Sequence, residues 1–112
     1  MTQRAFLGEF EQMVLAAVLR LGEGAYGAAI VGEIEARTGR RVTGGSLYVT
    51  LDRLEHKRLI ETWLRDPTPE RGGRPKRYVR VTRNGLEAMR DARNAMLALW
   101  RGIENRIRTA KT

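Results

Sequence analysis

All three prolines of the chain fall within one short stretch, D-P-T-P-E-R-G-G-R-P, which also holds two adjacent glycines. No helix can run through it, so it reads as the loop of a hairpin. The segments on either side alternate with period two. In L-I-E-T-W-L-R, Ile60, Thr62 and Leu64 share one face, while Leu59, Glu61 and Trp63 share the other. In K-R-Y-V-R-V-T, Val79 and Val81 point inward, and Tyr78 and Arg80 outward. Everything before this hairpin runs on the helical period.

The first helix is expected from about Gly8 to Leu21. Phe10, Met13, Val14, Ala17, Val18 and Leu21 form its apolar face, and Glu9, Glu11, Gln12 and Arg20 face water. Gly22-Glu23-Gly24 stops it. A second helix spans Tyr26 to Thr38 on Tyr26, Ile30, Val31 and Ile34, and Gly39 terminates it. The turn Gly39-Arg40-Arg41-Val42 leads into T-G-G-S-L-Y-V-T-L-D-R-L-E-H-K-R-L-I, where Leu47, Leu51 and Leu54 make a narrow apolar stripe. Thr43 is its N-cap, and Gly44 and Gly45 fall in the first turn, where bare backbone lets another surface come close. Ser46, Val49, Thr50, Arg53 and Lys57 occupy the opposite face, suited to hydrogen-bonding or attracting phosphate. A helix with one side in its domain and its N-terminal part free for a groove is built as a DNA recognition helix is, the alternative being a surface helix of any small α+β domain. Two helices joined by a short glycine-containing turn, then a hairpin, spell a winged helix-turn-helix.

The hairpin carries the densest charge. Arg71, Arg74, Lys76, Arg77, Arg80 and Arg83 occur with no acidic residue between Arg71 and Leu86. Each phosphate neutralised by such a cluster releases counterions, so it can supply much of the affinity for a nucleic acid. The helix and the hairpin are expected to do separable jobs, sequence reading by the first and phosphate contact by the second.

The chain ends in a long helical segment, from Thr82 or Arg83 to about Arg108. Leu86, Met89, Met96, Trp100, Ile103 and Ile107 step along it by helical intervals, with Arg93 in the one gap. This heptad-like seam is longer than a small domain can cover, so it should meet a second copy. Leu97, Leu99 and Ala92 widen the apolar surface toward the first helix. The expected architecture is therefore mainly α with a small β-hairpin: residues 1–82 form a winged-helix DNA-binding domain, and residues 83–112 a C-terminal dimerisation helix with a short tail. Trp100 either packs at the dimer seam or also lines a pocket for a flat aromatic effector.

The 112 residues fit one domain with an appended element. A net charge of +8 calls for a polyanionic partner, nucleic acid before an anionic membrane surface. There is no cysteine, which excludes disulfides and thiolate metal sites and fits a reducing cytoplasm. The longest apolar run, Met13 to Leu19, falls well short of the roughly 20 residues a membrane helix needs, and no signal peptide is expected. His56 is the only histidine, placed late in the third helix and facing solvent. With Glu33 and Glu35 on different helix faces and no phosphate-binding loop at Gly72-Gly73-Arg74, neither an enzyme, a metal site nor a cofactor is expected.

With these elements placed, the sequence resembles the PadR-type transcriptional regulators. The resemblance runs from about Leu7 to Ile107, through L-G-E-F-E-Q-M-V-L-A-A-V-L, A-Y-G-A-A-I-V-G-E-I, G-S-L-Y-V-T-L-D-R-L-E and G-G-R-P-K-R-Y-V-R-V-T-R-N-G. It implies a homodimeric winged-helix repressor with a roughly palindromic double-stranded operator, released by a small, often aromatic molecule or by stress. By position it puts Ser46, Tyr48, Thr50 and Arg53 at the DNA surface, and Arg71, Arg74, Lys76 and Arg77 on the wing. Tyr48 either hydrogen-bonds a phosphate or packs its ring in the core. Two departures stand out: Val49 replaces a common proline, and Arg58 replaces the glycine that commonly ends the third helix. The turn after that helix must therefore tolerate a side chain. Two rivals remain, a basic domain that binds nucleic acid without sequence preference and a winged helix used as a protein-docking module.

Overall fold

A computed structural model of the chain describes residues 6–65 and 75–109. Helices α1 (Glu9–Leu21), α2 (Gly27–Thr38) and α3 (Gly44–His56) are followed by strands β1 (Ile60–Arg65) and β2 (Lys76–Val81). Helices α4 (Arg83–Trp100) and α5 (Glu104–Arg108) complete the chain. The strands pair antiparallel, Ile60 opposite Val81 and Arg65 opposite Lys76. The segment before α2 extends this ribbon: the Val79 N–H donates to the Ala25 carbonyl at 2.9 Å, and Tyr26 bridges to Tyr78.

The three leucines of α3 meet Val14, Leu15 and Val18 of α1 and Ile30 and Ile34 of α2 in one core, closed by Leu59, Ile60 and Val79. Two polar residues expected at the surface are buried with them. Thr50 is only 5% exposed, because it stands three residues from Leu47 and four from Leu54, inside the apolar stripe. Glu11, also 5% exposed, lies on the buried side of α1 with Val14, Leu15 and Val18. Its carboxylate accepts from the Gly8 N–H at 2.8 Å and from Lys57 Nζ at 2.9 Å. Lys57 is thus turned back onto α1 rather than outward with Arg53.

The end of α3 has a Schellman geometry, with Leu59 N–H donating to the Leu54 carbonyl and Arg58 N–H to that of Glu55, both at 2.9 Å. This motif requires a left-handed residue, and Arg58 supplies it at φ 63°. The turn then seats α4. Thr82 donates from its N–H to the Leu59 carbonyl (3.0 Å) and from its hydroxyl to the Arg58 carbonyl (2.8 Å), while its Oγ1 caps Gly85. Gly85 lies so close that a Cβ there would strike the Leu59 carbonyl.

The C-terminal segment is not one continuous helix. At Arg101 the backbone turns extended and Gly102 takes φ 88°, so α4 stops at Trp100 and α5 starts afresh. Ile103 and Ile107 therefore leave the line of Leu86, Met89 and Met96. Ala88, Met89 and Ala92 pack against the core, whereas Leu86, Met96, Leu97, Leu99 and Trp100 are exposed. The radius of gyration is 16.4 Å, above the roughly 13 Å of a compact chain this long, which fits a C-terminal end that is poorly covered.

Two expectations follow. Arg58→Gly should stabilise the fold by up to about 1 kcal/mol by relieving a left-handed side-chain residue, read by denaturant unfolding. Burial acts to raise the Glu11 pKa, but the hydrogen bonds from Lys57 and Gly8 and the charges of Lys57 and Arg53 outweigh it and hold it below its usual 4.5. A lowered carboxylate stabilises the fold above its unfolded pKa and ceases to as pH falls through its folded value. The stability difference between wild type and Glu11→Gln should therefore be full at neutral pH and shrink below about pH 4.5, the ordinary carboxylate value.

Candidate nucleic-acid interface

The start of α3 is ordered and uncrowded. The Thr43 hydroxyl oxygen accepts from the Ser46 N–H at 3.1 Å, and the Ser46 hydroxyl donates to the Thr43 carbonyl at 3.0 Å, fixing the first turn. Gly44 and Gly45 have open space where a Cβ would stand, so nothing in the chain's own packing requires glycine there. One turn further, Val49 and Arg53 are exposed on the same side as Ser46. The Arg53 guanidinium makes no hydrogen bond or ion pair among the described residues, and the same holds for Arg41 at the entry to the helix. Arg41 is an exposed cation that sequence reasoning did not single out.

Tyr48 is neither a core residue nor fully free. It is 46% exposed, and its phenol end lies against the α2 start, where a Cβ on Gly27 would come within 2.7 Å of the hydroxyl. The Tyr-Gly pair opening α2 thus leaves room for a tyrosine on α3.

The wing cations divide into distinct groups. Arg71 and Arg74 lie outside the described residues. Lys76 holds its ammonium 4.2 Å from the centre of the Tyr26 ring, and among the described residues no carboxylate pairs with it. Arg80 is paired to Glu61 at 2.6 Å across the strands. Arg77, expected beside Lys76 as a DNA contact, points the other way: its guanidinium donates to Asp52 at 3.0 Å and to Glu55 at 3.1 Å on α3. The strand period could have revealed this, because Arg77 shares its face with Val79 and Val81. On the opposite face Trp63, Tyr78 and Tyr26 form a row, with ring centres 6.2 and 5.6 Å apart, and Arg65 lies over Tyr78.

Among the described residues, no group of three histidine, cysteine or acidic side chains is gathered that could hold a metal, and no helix is long and apolar enough to cross a membrane. A sequence model of the PadR-like family of transcriptional regulators matches residues 14–91, from α1 into α4. The chain belongs to the PadR-like family. Its members regulate transcription and are not enzymes. Solved structures agree in fold. A PadR family regulator from Clostridium difficile superposes with a TM-score of 0.73 at 18% identity, over 89% of this chain and 99% of that one. A PadR-like regulator from Bacillus cereus gives 0.70 at 22%, over 91% and 93%. One from Eggerthella lenta gives 0.68 at 28%, over 90% and 83%. No curated protein matches the chain.

Proposed function

We propose that this PadR-like regulator is a dimeric repressor that reads a roughly palindromic duplex operator. Residues 1–82 supply the DNA-binding surface, and residues 83–112 the dimer contact. The observation that carries this reading is the α3 face of bare Gly44 and Gly45 followed by exposed Ser46, Val49 and Arg53, whose guanidinium has no ion pair among the described residues. That combination offers close backbone approach, a hydroxyl, an apolar contact and an exposed guanidinium, which is what base edges and phosphates in a major groove require. Thr43 holds the helix start, Tyr48 flanks it, and Lys76 with Arg71 and Arg74 supplies phosphate contacts from the wing. A domain without sequence preference would need charge but not this uncrowded helix start.

An operator selected from a pool of random duplexes provides the test. Arg53→Ala should weaken operator binding by removing a bidentate hydrogen-bonded pair, about 1–3 kcal/mol, with little effect on a random duplex. Lys76→Ala should weaken both duplexes alike and make the salt dependence shallower. Gly45→Ala should raise folded stability by up to about 1 kcal/mol yet bind DNA less well, because the added methyl fills the approach. Equal weakening of both duplexes by Arg53→Ala would favour binding without sequence reading.

The second copy is inferred from the exposed apolar face of α4, Leu86, Met96, Leu97 and Trp100, with Met89 half-buried beside it. A small aromatic effector stacked on Trp100, releasing DNA, is the signal we propose; adding aromatic compounds to the operator titrations examines it. Ile103 and Ile107 contribute from beyond the Gly102 break, at a different angle. Sedimentation should show a dimer for wild type and a monomer for Met96→Glu, since each buried apolar side chain contributes about 1.5–3 kcal/mol per copy. Ile103→Glu should weaken the dimer less than Met96→Glu does. A wild-type monomer at micromolar concentration would remove the dimer from the reading.

A further inference from the structure

By sequence Arg77 is expected to touch DNA, yet only 18% of its side chain is accessible. Both ends of its guanidinium are engaged, Nη1 with Asp52 and Nη2 with Glu55. These two acids stand three residues apart on one side of α3, adjoining the face that carries Val49 and Arg53. The second oxygen of Glu55 accepts from the Thr62 hydroxyl at 2.6 Å. One carboxylate on α3 is therefore bonded to both strands of the wing, to β1 through Thr62 and to β2 through Arg77. Asp52 adds a second tie to β2.

We infer that Arg77 is a positioning residue that locks the wing to the recognition helix, so that the two engage DNA as one body and not as independent contacts. This inference rests on the DNA-binding reading above. The physical need for the lock is twofold. Asp52 and Glu55 would otherwise bring two negative charges toward a phosphate backbone, and the planar fork of one arginine offsets half of that charge while staying clear of the groove. The fork also fixes distance and orientation between β2 and α3, which a single ammonium would not do. Wing cations such as Lys76 then meet phosphates at a set offset from the bases that Arg53 faces, and the correct sequence is the one that satisfies both at once.

The test measures affinity for the selected operator and for a random-sequence duplex at several salt concentrations. The proteins are wild type, Arg77→Ala, Arg77→Lys, and the double variant Asp52→Ala with Glu55→Ala. The lock predicts that the operator-to-random affinity ratio falls tenfold or more in Arg77→Ala, while the salt slope stays at the wild-type value. Arg77→Lys keeps the charge but not the fork, so it should not restore the ratio. The double variant removes two negative charges, and random-duplex binding should tighten while the ratio still falls. Retained random-duplex binding also shows that each variant is folded.

If Arg77→Ala weakens both duplexes in proportion and flattens the salt slope by about one unit for each phosphate left unneutralised, Arg77 is a phosphate contact and the lock is wrong. Equal tightening on both duplexes in the double variant overturns it as well, since charge alone would then account for the acids. A wild-type protein that selects no sequence would instead overturn the DNA-reading proposal itself, which the same titration separates from either failure.

Discussion

A helix that lies half in the core and half bare must not turn about its own axis. Rotation of α3 by one residue's angle would bring Val49 toward the core and carry Leu54 out of it. Leu47, Leu51 and Leu54 resist this from beneath. Two ionic contacts resist it from the flanks, Lys57 with Glu11 on α1 and Asp52 and Glu55 with Arg77 on β2. The flanking contacts differ in kind. Glu11 is buried, and truncating its partner would leave a charge without solvent, a cost of about 3 kcal/mol. The acids facing Arg77 are exposed, so that contact contributes direction more than stability.

Charge density in the sequence indicates a polyanionic partner but not which cations would meet it. Among the described residues, Arg77 and Arg80 of the wing are answered by carboxylates, whereas Lys76 sits on a tyrosine ring. Pairing within the fold sorts the basic residues into structural ones and available ones. That sorting depends on long-range contacts between Glu11 and Lys57, or Asp52 and Arg77, which no local pattern reports.

Much of the architecture is nonetheless legible in the sequence. The three helices, the Thr43 cap, the two strands of the hairpin and the inward valines follow from periodicity and turn chemistry. The misplaced residues share a single cause. Glu11, Thr50 and Arg77 each stand on the apolar period of their element, beside Val14, Leu47 and Val79, and read as outward only because their side chains are polar. Period outweighs polarity wherever a partner is within reach. The C-terminal break has the opposite origin. Gly102 is absorbed into a heptad pattern, although a glycine two residues after Trp100 is an ordinary helix stop. As for the turn at Arg58, the left-handed geometry survives without glycine, with the Leu54, Glu55 and Thr82 hydrogen bonds holding it.

The same turn acts as a fulcrum. Arg58 and Leu59 offer the carbonyls on which Thr82 roots α4, directly after the last residues of α3. A helix of 18 residues is about 27 Å long, so a tilt of about 5° at its root displaces the far end by about 2 Å. In the proposed dimer, that far end determines how far apart two recognition helices are held. The angle of one short turn would then be translated into the number of base pairs between the two halves of an operator, and a change of side chain there would shift that spacing without altering a single residue that faces a base.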